Sequence, residues 1–235
     1  MNVVSIMAHQ DDELVCLGTM LKMQARGDNL YFICVTDGSG GMVQAPDMPR
    51  EEAAAMRERE MTDLTGRLGA EYLCLGEQDE SLYDTPELRS RLVDAIRQCR
   101  ADVIFTHYSP DYNVDHNTVT ELVRQCALHA ILVSTHTEHP PLAASPAVFL
   151  VEPSSGFGFE PTHYVDITPF IERKRELARC HKSQDDAFHA ALHKGLDDWM
   201  LENTRYRGAQ VGVEHAEGFR PFFARGLVKA YAILP

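Results

Sequence analysis

Two short groups of acidic and histidine side chains stand out because each follows a short apolar run. The first lies within residues 9–13 (HQDDE), and the second within residues 107–116. His9 and Asp12 are three residues apart, so a turn that enters a helix can direct both side chains the same way. Together with His116 they would supply two imidazoles and one carboxylate, which suit a catalytic zinc ion with an open position for water.

The chemistry that such a site would support is hydrolysis. A bound zinc ion lowers the pKa of its water towards about 7 and polarises a carbonyl oxygen. Asp11 lies between the two proposed ligands and points elsewhere, which predicts that it acts as the general base. A structural explanation stays open, because acidic residues also stabilise the positive end of a helix. The spacing alone does not decide between the two.

Alternating strands and helices are predicted to position both groups. Strands are predicted at 3–8, 30–36, 72–75, 102–106, 147–151 and 164–167, and helices at 12–26, 50–68, 86–100, 116–132 and 170–181, with a restart after Ser183. The strands are short and apolar on both sides, which is typical of buried parallel strands. The pattern predicts an α/β, doubly wound fold with its ligands at the carboxyl ends of the strands. If strands one and four are neighbours, His9, Asp12 and His116 converge.

Composition excludes several classes of function. The formal net charge of −13 and the pI of about 5.2 disfavour binding to nucleic acids or anionic membranes. The sequence lacks an apolar run of about 18 residues, as a membrane helix needs, and the first residues do not read as a secretory signal. The six cysteines contain no C-x-x-C pair, and the four within apolar patterns, Cys16, Cys34, Cys74 and Cys126, are interpreted as reduced core residues of a cytoplasmic protein. A length of 235 residues suits one domain.

The two groups resemble the motifs of the LmbE/PIG-L family of zinc-dependent N-deacetylases. The resemblance lies in Ala-His-x-Asp-Asp-Glu after the first strand, and in Thr-His followed by Asp-His after the fourth. It extends to Arg57 and Glu60, 163–168, Lys174, 181–184 and 217–220. It implies a Rossmann-like fold, a mostly parallel sheet flanked by helices, in one domain over residues 1–235. It also implies hydrolysis of N-acetyl groups on glucosamine-type sugars, with Zn²⁺ on His9, Asp12 and His116 and with Asp11 as base. A homo-oligomer is compatible with it.

Two positions depart from the family pattern. Gln10 stands where the first motif usually has proline, and Asn113 stands where the second motif usually has histidine. That histidine helps to stabilise the oxyanion or to protonate the leaving amine. Asn113 can donate a hydrogen bond to an oxyanion but cannot act as an acid. The proton for the amine would then come from Asp11, after it has taken one from water, or from His163.

Three functions remain open on the sequence. The first is a sugar N-deacetylase, and the second is an amidase for another acyl amine, such as an antibiotic or a sugar–thiol conjugate. The third is a metal- or sugar-binding protein without catalysis, which the Asn113 departure favours and the presence of Asp11 disfavours. Nucleotide chemistry is not expected, because neither a G-x-G-x-x-G after strand one nor a Walker A motif occurs. His189 and His193 are interpreted as part of a solvated helix.

Overall fold

The strands of the computed structural model, which describes residues 1–154 and 156–222, form one seven-stranded sheet. They are β1 (Asn2–Met7), β2 (Asn29–Thr36), β3 (Glu71–Glu77), β4 (Val103–Thr106), β5 (Ala147–Val151), β6 (His163–Asp166) and β7 (Ala216–Phe222). Their order across the sheet is β3-β2-β1-β4-β5-β7-β6. The neighbours among β1 to β5 are parallel, whereas β7 is antiparallel to both β5 and β6. The predicted α/β fold with a mostly parallel sheet is confirmed.

Helices flank this sheet. They are α1 (Leu17–Ala25), α2 (Arg50–Leu68), α3 (Pro86–Gln98), α4 (Val114–His129), α5 (Ile171–Ala178), α6 (Lys182–Leu192) and α7 (Leu196–Val211). The first helix begins later than predicted, because Asp12–Val15 forms a separate 3-10 turn. The apolar pattern predicts neither α7 nor β7. In the described part of the chain, none of the helices combines the length and the apolar character that crossing a bilayer requires.

The central strands are buried on both faces. In β1, Val3 and Met7 belong to one hydrophobic core, whereas Val4 and Ile6 belong to the core on the opposite side of the sheet. This division follows from the period of two along a strand, which directs successive side chains to opposite faces. Continuous apolar strands are therefore required here, as the sequence pattern indicates.

The cysteine side chains are buried with one exception. All six lie within the described ranges, and none is paired with another. Cys74 was expected in the core but is exposed on β3, which forms one edge of the sheet. The other five are buried, as core cysteines are.

A carboxylate from β7 holds the start of α1. Glu217 is buried and accepts hydrogen bonds from the main-chain N–H groups of Gly18 at 2.9 Å and Thr19 at 2.7 Å. Lys174 of α5 donates to the same carboxylate at 2.6 Å. The first N–H groups of a helix have no partner within the helix, and a negative charge near them is favourable. Glu217 therefore connects β7 and α5 to the helix that follows the first motif.

Arg97 of α3 organises the chain beyond the end of α4. Its side chain is only 2% exposed and donates to the main-chain oxygens of Ala130 at 3.0 Å and Leu132 at 2.8 Å. It also donates to Thr135 O at 2.9 Å and to Thr137 Oγ1 at 2.7 Å. These carbonyl groups need a donor once they are removed from water.

We expect Arg97→Met to lower the free energy of unfolding by about 3 kcal/mol, because it leaves several buried carbonyl groups without a donor. Equilibrium unfolding in urea measures the change. Arg59→Met, at an exposed position of α2, is the matched control and should stay within about 0.5 kcal/mol of the wild type. Equal losses in the two variants would contradict the role assigned to Arg97.

Candidate active site

The carboxyl ends of β1 and β4 bring the two groups of polar residues together. The strands are parallel neighbours, with Val3 opposite Val103 and Ser5 opposite Phe105. The chain therefore leaves both strands at the same edge of the sheet, where open α/β sheets bind their ligands. The turn Asp12–Val15 follows β1, and α4 begins shortly after β4.

His9, Asp12 and His116 form a cluster with the geometry of a metal site. One ligand atom of each residue lies within 4.8 Å of those of the other two. Asp12 Oδ2 is 3.2 Å from His9 Nδ1, and Asp12 Oδ1 is 3.3 Å from His116 Nε2. The main-chain N–H of His9 donates to Asp12 Oδ2 at 2.8 Å, which holds the carboxylate at the end of β1. The structure thus brings together the three side chains predicted as ligands.

The second nitrogen of each histidine faces a further carboxylate. His9 Nε2 lies 2.9 Å from Asp79 Oδ1 and 3.5 Å from Asp115 Oδ2. His116 Nδ1 lies 3.2 Å from Asp111 Oδ2. Metal-binding histidines characteristically have such a partner, which fixes the tautomer and the ring orientation. With one nitrogen directed at Asp12 and the other at a carboxylate, both rings fit the role of metal ligands.

The local charge balance also fits a cation. Burial opposes protonation of His9, yet its hydrogen bonds with Asp115, Asp12 and Asp79 raise its pKa well above the ordinary value. Burial likewise opposes protonation of His116, whose pKa is nevertheless raised to about 9 by Asp12 and Asp111. Several carboxylates around two imidazoles therefore favour positive charge at this point, which a divalent cation would supply.

His107 supports the cluster in its neutral form. Its Nε2 accepts the main-chain N–H of Ala8 at 2.9 Å, and its ring stacks on that of His116 with centroids 3.9 Å apart. Burial, followed by the nearby His116, lowers the pKa of His107 to about 4. The hydrogen bond from Ala8 connects β4 to the end of β1. The stacked ring of His107 orients the ring of His116.

Asp11 is held in an unusual backbone conformation. Its φ of 115° lies in the region that side-chain-bearing residues rarely adopt. Its main-chain N–H donates to Glu13 Oε2 at 2.9 Å, and Glu13 Oε1 lies 2.7 Å from Nε2 of the buried His181. Such strain persists only where surrounding contacts enforce it. The Glu13–His181 pair therefore keeps Asp11 on the side of the cavity, away from the core.

The Asp11 carboxylate also contacts a buried guanidinium. Arg57 is only 1% exposed, and its Nη2 donates to Asp11 Oδ1 at 2.9 Å and to the carbonyl oxygen of Gln10. Burial raises the pKa of Asp11 to about 6, although Arg57 acts in the opposite direction. Arg57 Nη1 lies 3.5 Å from Glu60 Oε2. Arg57 therefore supports the first motif from α2, and Glu60 lies beside its guanidinium on the same helix.

Asn113 is the N-cap residue directly before α4 and lines the same cavity as the cluster. Its Oδ1 accepts the main-chain N–H groups of Asp115 at 2.8 Å and His116 at 3.4 Å. Asparagine is a preferred residue at this position because it satisfies N–H groups that the helix leaves free. With Oδ1 used in this way, the amide Nδ2 is the group that Asn113 can offer to a substrate.

The structure does not bring His163 to the cluster. This residue is exposed on β6, its Nδ1 lies 3.0 Å from Thr162 Oγ1, and its ring faces Phe149. It is not among the residues that line the cavity. The cause is topological, since β7 inserts between β5 and β6 and moves β6 to the far edge of the sheet. The suggestion that His163 protonates the leaving amine is therefore not supported.

A cavity of about 340 Å³ opens beside the cluster. Its lining includes Asp79 and Glu80, which sequence reasoning missed, and Tyr112 and Asn113, which directly precede α4. Asp79 follows β3, which is parallel to β2. The sequence signal for Asp79 is an acidic segment directly after a third parallel strand. Such a segment is predicted to lie at the edge of the sheet where β1 and β4 also end.

A comparison with protein families decides the relationship of this chain. Residues 4–127 match the family described as PIG-L, GlcNAc-PI de-N-acetylase. The match begins in β1 and ends in α4, covers more than half of the 235 residues, and contains His9, Asp12 and His116. The chain belongs to the PIG-L family. The predicted LmbE/PIG-L resemblance is confirmed.

Individual relatives of this PIG-L chain include deacetylases. The chain is 26% identical to the diacetylchitobiose deacetylase of Thermococcus kodakarensis over 226 residues, which are 93% of this chain and 82% of that protein. The structure of N,N'-diacetylchitobiose deacetylase from Pyrococcus horikoshii is similar, with a TM-score of 0.80 and 23% identity over 94% and 83% of the two chains. GalB, the 4-carboxy-2-hydroxymuconate hydratase of Pseudomonas putida, has a TM-score of 0.81 and 20% identity over 98% and 100%. One fold thus carries different reactions, and function must be argued from the site.

Proposed function

We propose that this PIG-L protein is a metal-dependent hydrolase that removes an N-acetyl group from a sugar-type substrate, such as N-acetylglucosamine or a conjugate of it. The observation that carries the proposal is the cluster of His9, Asp12 and His116 with Asp11 beside it in one cavity. The deacetylases among its relatives support the same reaction.

His9, Asp12 and His116 would hold the metal ion. Two imidazoles and one carboxylate favour zinc, while iron or cobalt can occupy the same ligands. Asp79 and Asp111 would orient the two imidazoles through their outer nitrogens. When bound, such an ion supplies Lewis-acid polarisation of the amide carbonyl and acidifies the attacking water.

Asp11 is proposed as the general base. Among the described residues, the contact of its carboxylate with Arg57 is made through Oδ1, which leaves Oδ2 to accept a proton from the attacking water. The backbone conformation enforced by Glu13 keeps this carboxylate at the cavity rather than in the core. A base positioned in this way contributes about 10²- to 10⁴-fold to the rate.

Asn113 and Asp11 would complete the reaction. The amide Nδ2 of Asn113 can donate a hydrogen bond to the oxygen that becomes negative when the carbonyl is attacked. Asn113 has no acidic proton, so the amine leaves with the proton that Asp11 has taken from water. Both side chains line the cavity, which is consistent with this division of roles.

The test combines metal content with amine release. Purified protein, supplied with zinc, should contain one metal ion per chain and release free amine from N-acetylglucosamine or N,N'-diacetylchitobiose. Metal binding without amine release would favour the alternatives, an amidase for another acyl amine or a non-catalytic binding protein. Absence of bound metal under zinc-replete conditions would overturn the proposal.

Tyr112 is expected to bind the sugar ring. It is 75% exposed, lines the mouth of the cavity and lies edge-on to the His116 ring, with centroids 6.0 Å apart. An aromatic face is worth about 1 kcal/mol in such contacts, so Tyr112→Ala should raise KM about fivefold with a smaller change in kcat. Tyr83 is also 75% exposed but does not line the cavity, so Tyr83→Ala is the control. Equal effects of the two variants on KM would refute this role.

A further inference from the structure

The cavity continues beyond the metal cluster along an apolar wall. The turn that carries Asp12 also carries Leu14 and Val15, and Met200 of α7 lines the same cavity. Leu14 is 3% exposed and Met200 is 4% exposed, so this part of the cavity is deep. Phe188 and Trp199 complete the wall, with ring centroids 5.4 Å apart. These side chains belong to or pack against a single hydrophobic core.

The polar side chains at this end of the cavity are already paired within the protein. Glu217 accepts from Lys174 and from two main-chain N–H groups. Glu152 accepts from Arg207 through both of its oxygens, at 3.0 and 2.9 Å. Asn203 donates to Ser154 O at 3.1 Å. Because these groups are satisfied internally, a ligand at this end of the cavity does not have to provide hydrogen bonds for them.

The two ends of the cavity therefore suit different parts of a substrate. Sugar hydroxyl groups placed against the apolar wall would lose hydrogen bonds to water without replacement, which is unfavourable. Near the metal cluster, the exposed Glu80 and the amide Nδ2 of Asn113 line the cavity and offer polar partners for them. The acyl group is the part of an N-acyl sugar that lacks polar atoms beyond its carbonyl. A single acetyl methyl group contacts only a small part of this wall, since the whole cavity measures about 340 Å³.

We propose that the apolar wall formed by Leu14, Val15, Phe188, Trp199 and Met200 binds straight acyl chains longer than acetyl, such as butyryl and hexanoyl. This inference rests on the proposed function, because it assumes that the protein hydrolyses N-acyl sugars. Each methylene group that is buried against the wall should raise kcat/KM about fourfold, until the apolar end is filled. The kcat/KM for N-butyrylglucosamine should then be more than tenfold higher than for N-acetylglucosamine, because the butyryl group has two more methylene groups.

Binding can be measured without catalysis, because Trp199 is the single tryptophan of the chain. The Asp11→Asn variant would be titrated with N-hexanoylglucosamine and, separately, with N-acetylglucosamine. We expect a saturable change in tryptophan fluorescence with the hexanoyl compound. The concentration that gives half of this change should be at least tenfold lower than for the acetyl compound. Equal responses to the two compounds would overturn the inference.

Kinetics provide the second test. kcat/KM for the acetyl, butyryl and hexanoyl compounds would be compared in the wild type, in Met200→Trp and in Val211→Trp. Met200→Trp fills the apolar end and should lower the hexanoyl-to-acetyl ratio at least tenfold. Val211, exposed on the same helix and away from the cavity, is the matched control and should leave the ratio at its wild-type value.

The outcomes separate the two claims. Hydrolysis of the acetyl compound with falling kcat/KM for longer chains would overturn the inference and leave the proposed function in place. If none of the three compounds releases amine, the proposed function fails, and the fluorescence titration alone then decides whether the wall binds acyl chains. Should Met200→Trp fail to fold, the wild-type chain-length series and the titration still decide.

Discussion

Asp11→Asn is expected to reduce the rate of amine release by about two to four orders of magnitude. Asparagine has nearly the same shape as aspartate, and its amide oxygen can still accept from Arg57. It cannot take a proton from water, so the step that generates the nucleophile is lost. The main-chain hydrogen bond from residue 11 to Glu13 does not depend on the side chain, so the strained backbone should persist.

Metal content and amine release should be measured on the same preparation of this variant. We expect one metal ion per chain and circular dichroism equal to that of the wild type. Asp47→Asn, at an exposed position outside the cavity, is the control and should retain full activity. If Asp11→Asn kept more than a tenth of the wild-type rate, another group would have to act as the base.

His116→Ala is expected to abolish both metal binding and activity. The variant removes one of the three proposed ligands, so its effect should exceed the roughly 10- to 100-fold loss of metal affinity that changes to outer partners produce. Asp111→Asn changes only such an outer partner, because its carboxylate faces Nδ1 of His116 at 3.2 Å. Asp111→Asn should therefore lower the metal affinity by about 10- to 100-fold, less than His116→Ala does.

The graded series is measured by metal titration and by amine release. His136→Ala removes an exposed histidine from a loop and should leave both quantities at their wild-type values. Alanine is a good helix former, so α4 should remain intact in the His116 variant, as circular dichroism would verify. Full metal occupancy in His116→Ala would exclude this residue as a ligand and redirect attention to the second cluster, His9, Asp79 and Asp115.

Residues behind the cluster hold Asp11, the proposed base, in place. Glu13 and His181 hold the backbone of Asp11, while Arg57 holds its side chain. Glu60 in turn accepts from the main-chain N–H of Ser183 at 2.6 Å and from its Oγ at 2.7 Å. The first motif is therefore fixed from α2 and from the start of α6. These contacts explain why the resemblance to the family extends to residues that are distant in sequence from the proposed metal ligands.

The sequence by itself determined the first two-thirds of the fold and the location of the cluster. Strands β1, β2, β4 and β5 are largely buried, so each appears as an apolar run, and the helices between the first five strands show an apolar stripe. Parallel strands also end at a common edge, so polar residues directly after β1 and β4 had to be neighbours once the strands were adjacent. This geometry made His9, Asp12 and His116 candidates without a structure, and the family resemblance then selected them as the expected metal ligands.

Tertiary structure alone decided the remainder. β7 contains Glu217, Gly218, Arg220 and Pro221 and lacks an alternating apolar pattern, so its existence depends on pairing with β5 and β6. That insertion separates His163 from the cluster, which no local pattern could indicate. Asp79 likewise belongs to the site only because β3 places its loop beside His9. The apolar periodicity of a segment indicates which of its residues are buried. Which strands and side chains become its neighbours depends on the packing of the whole sheet.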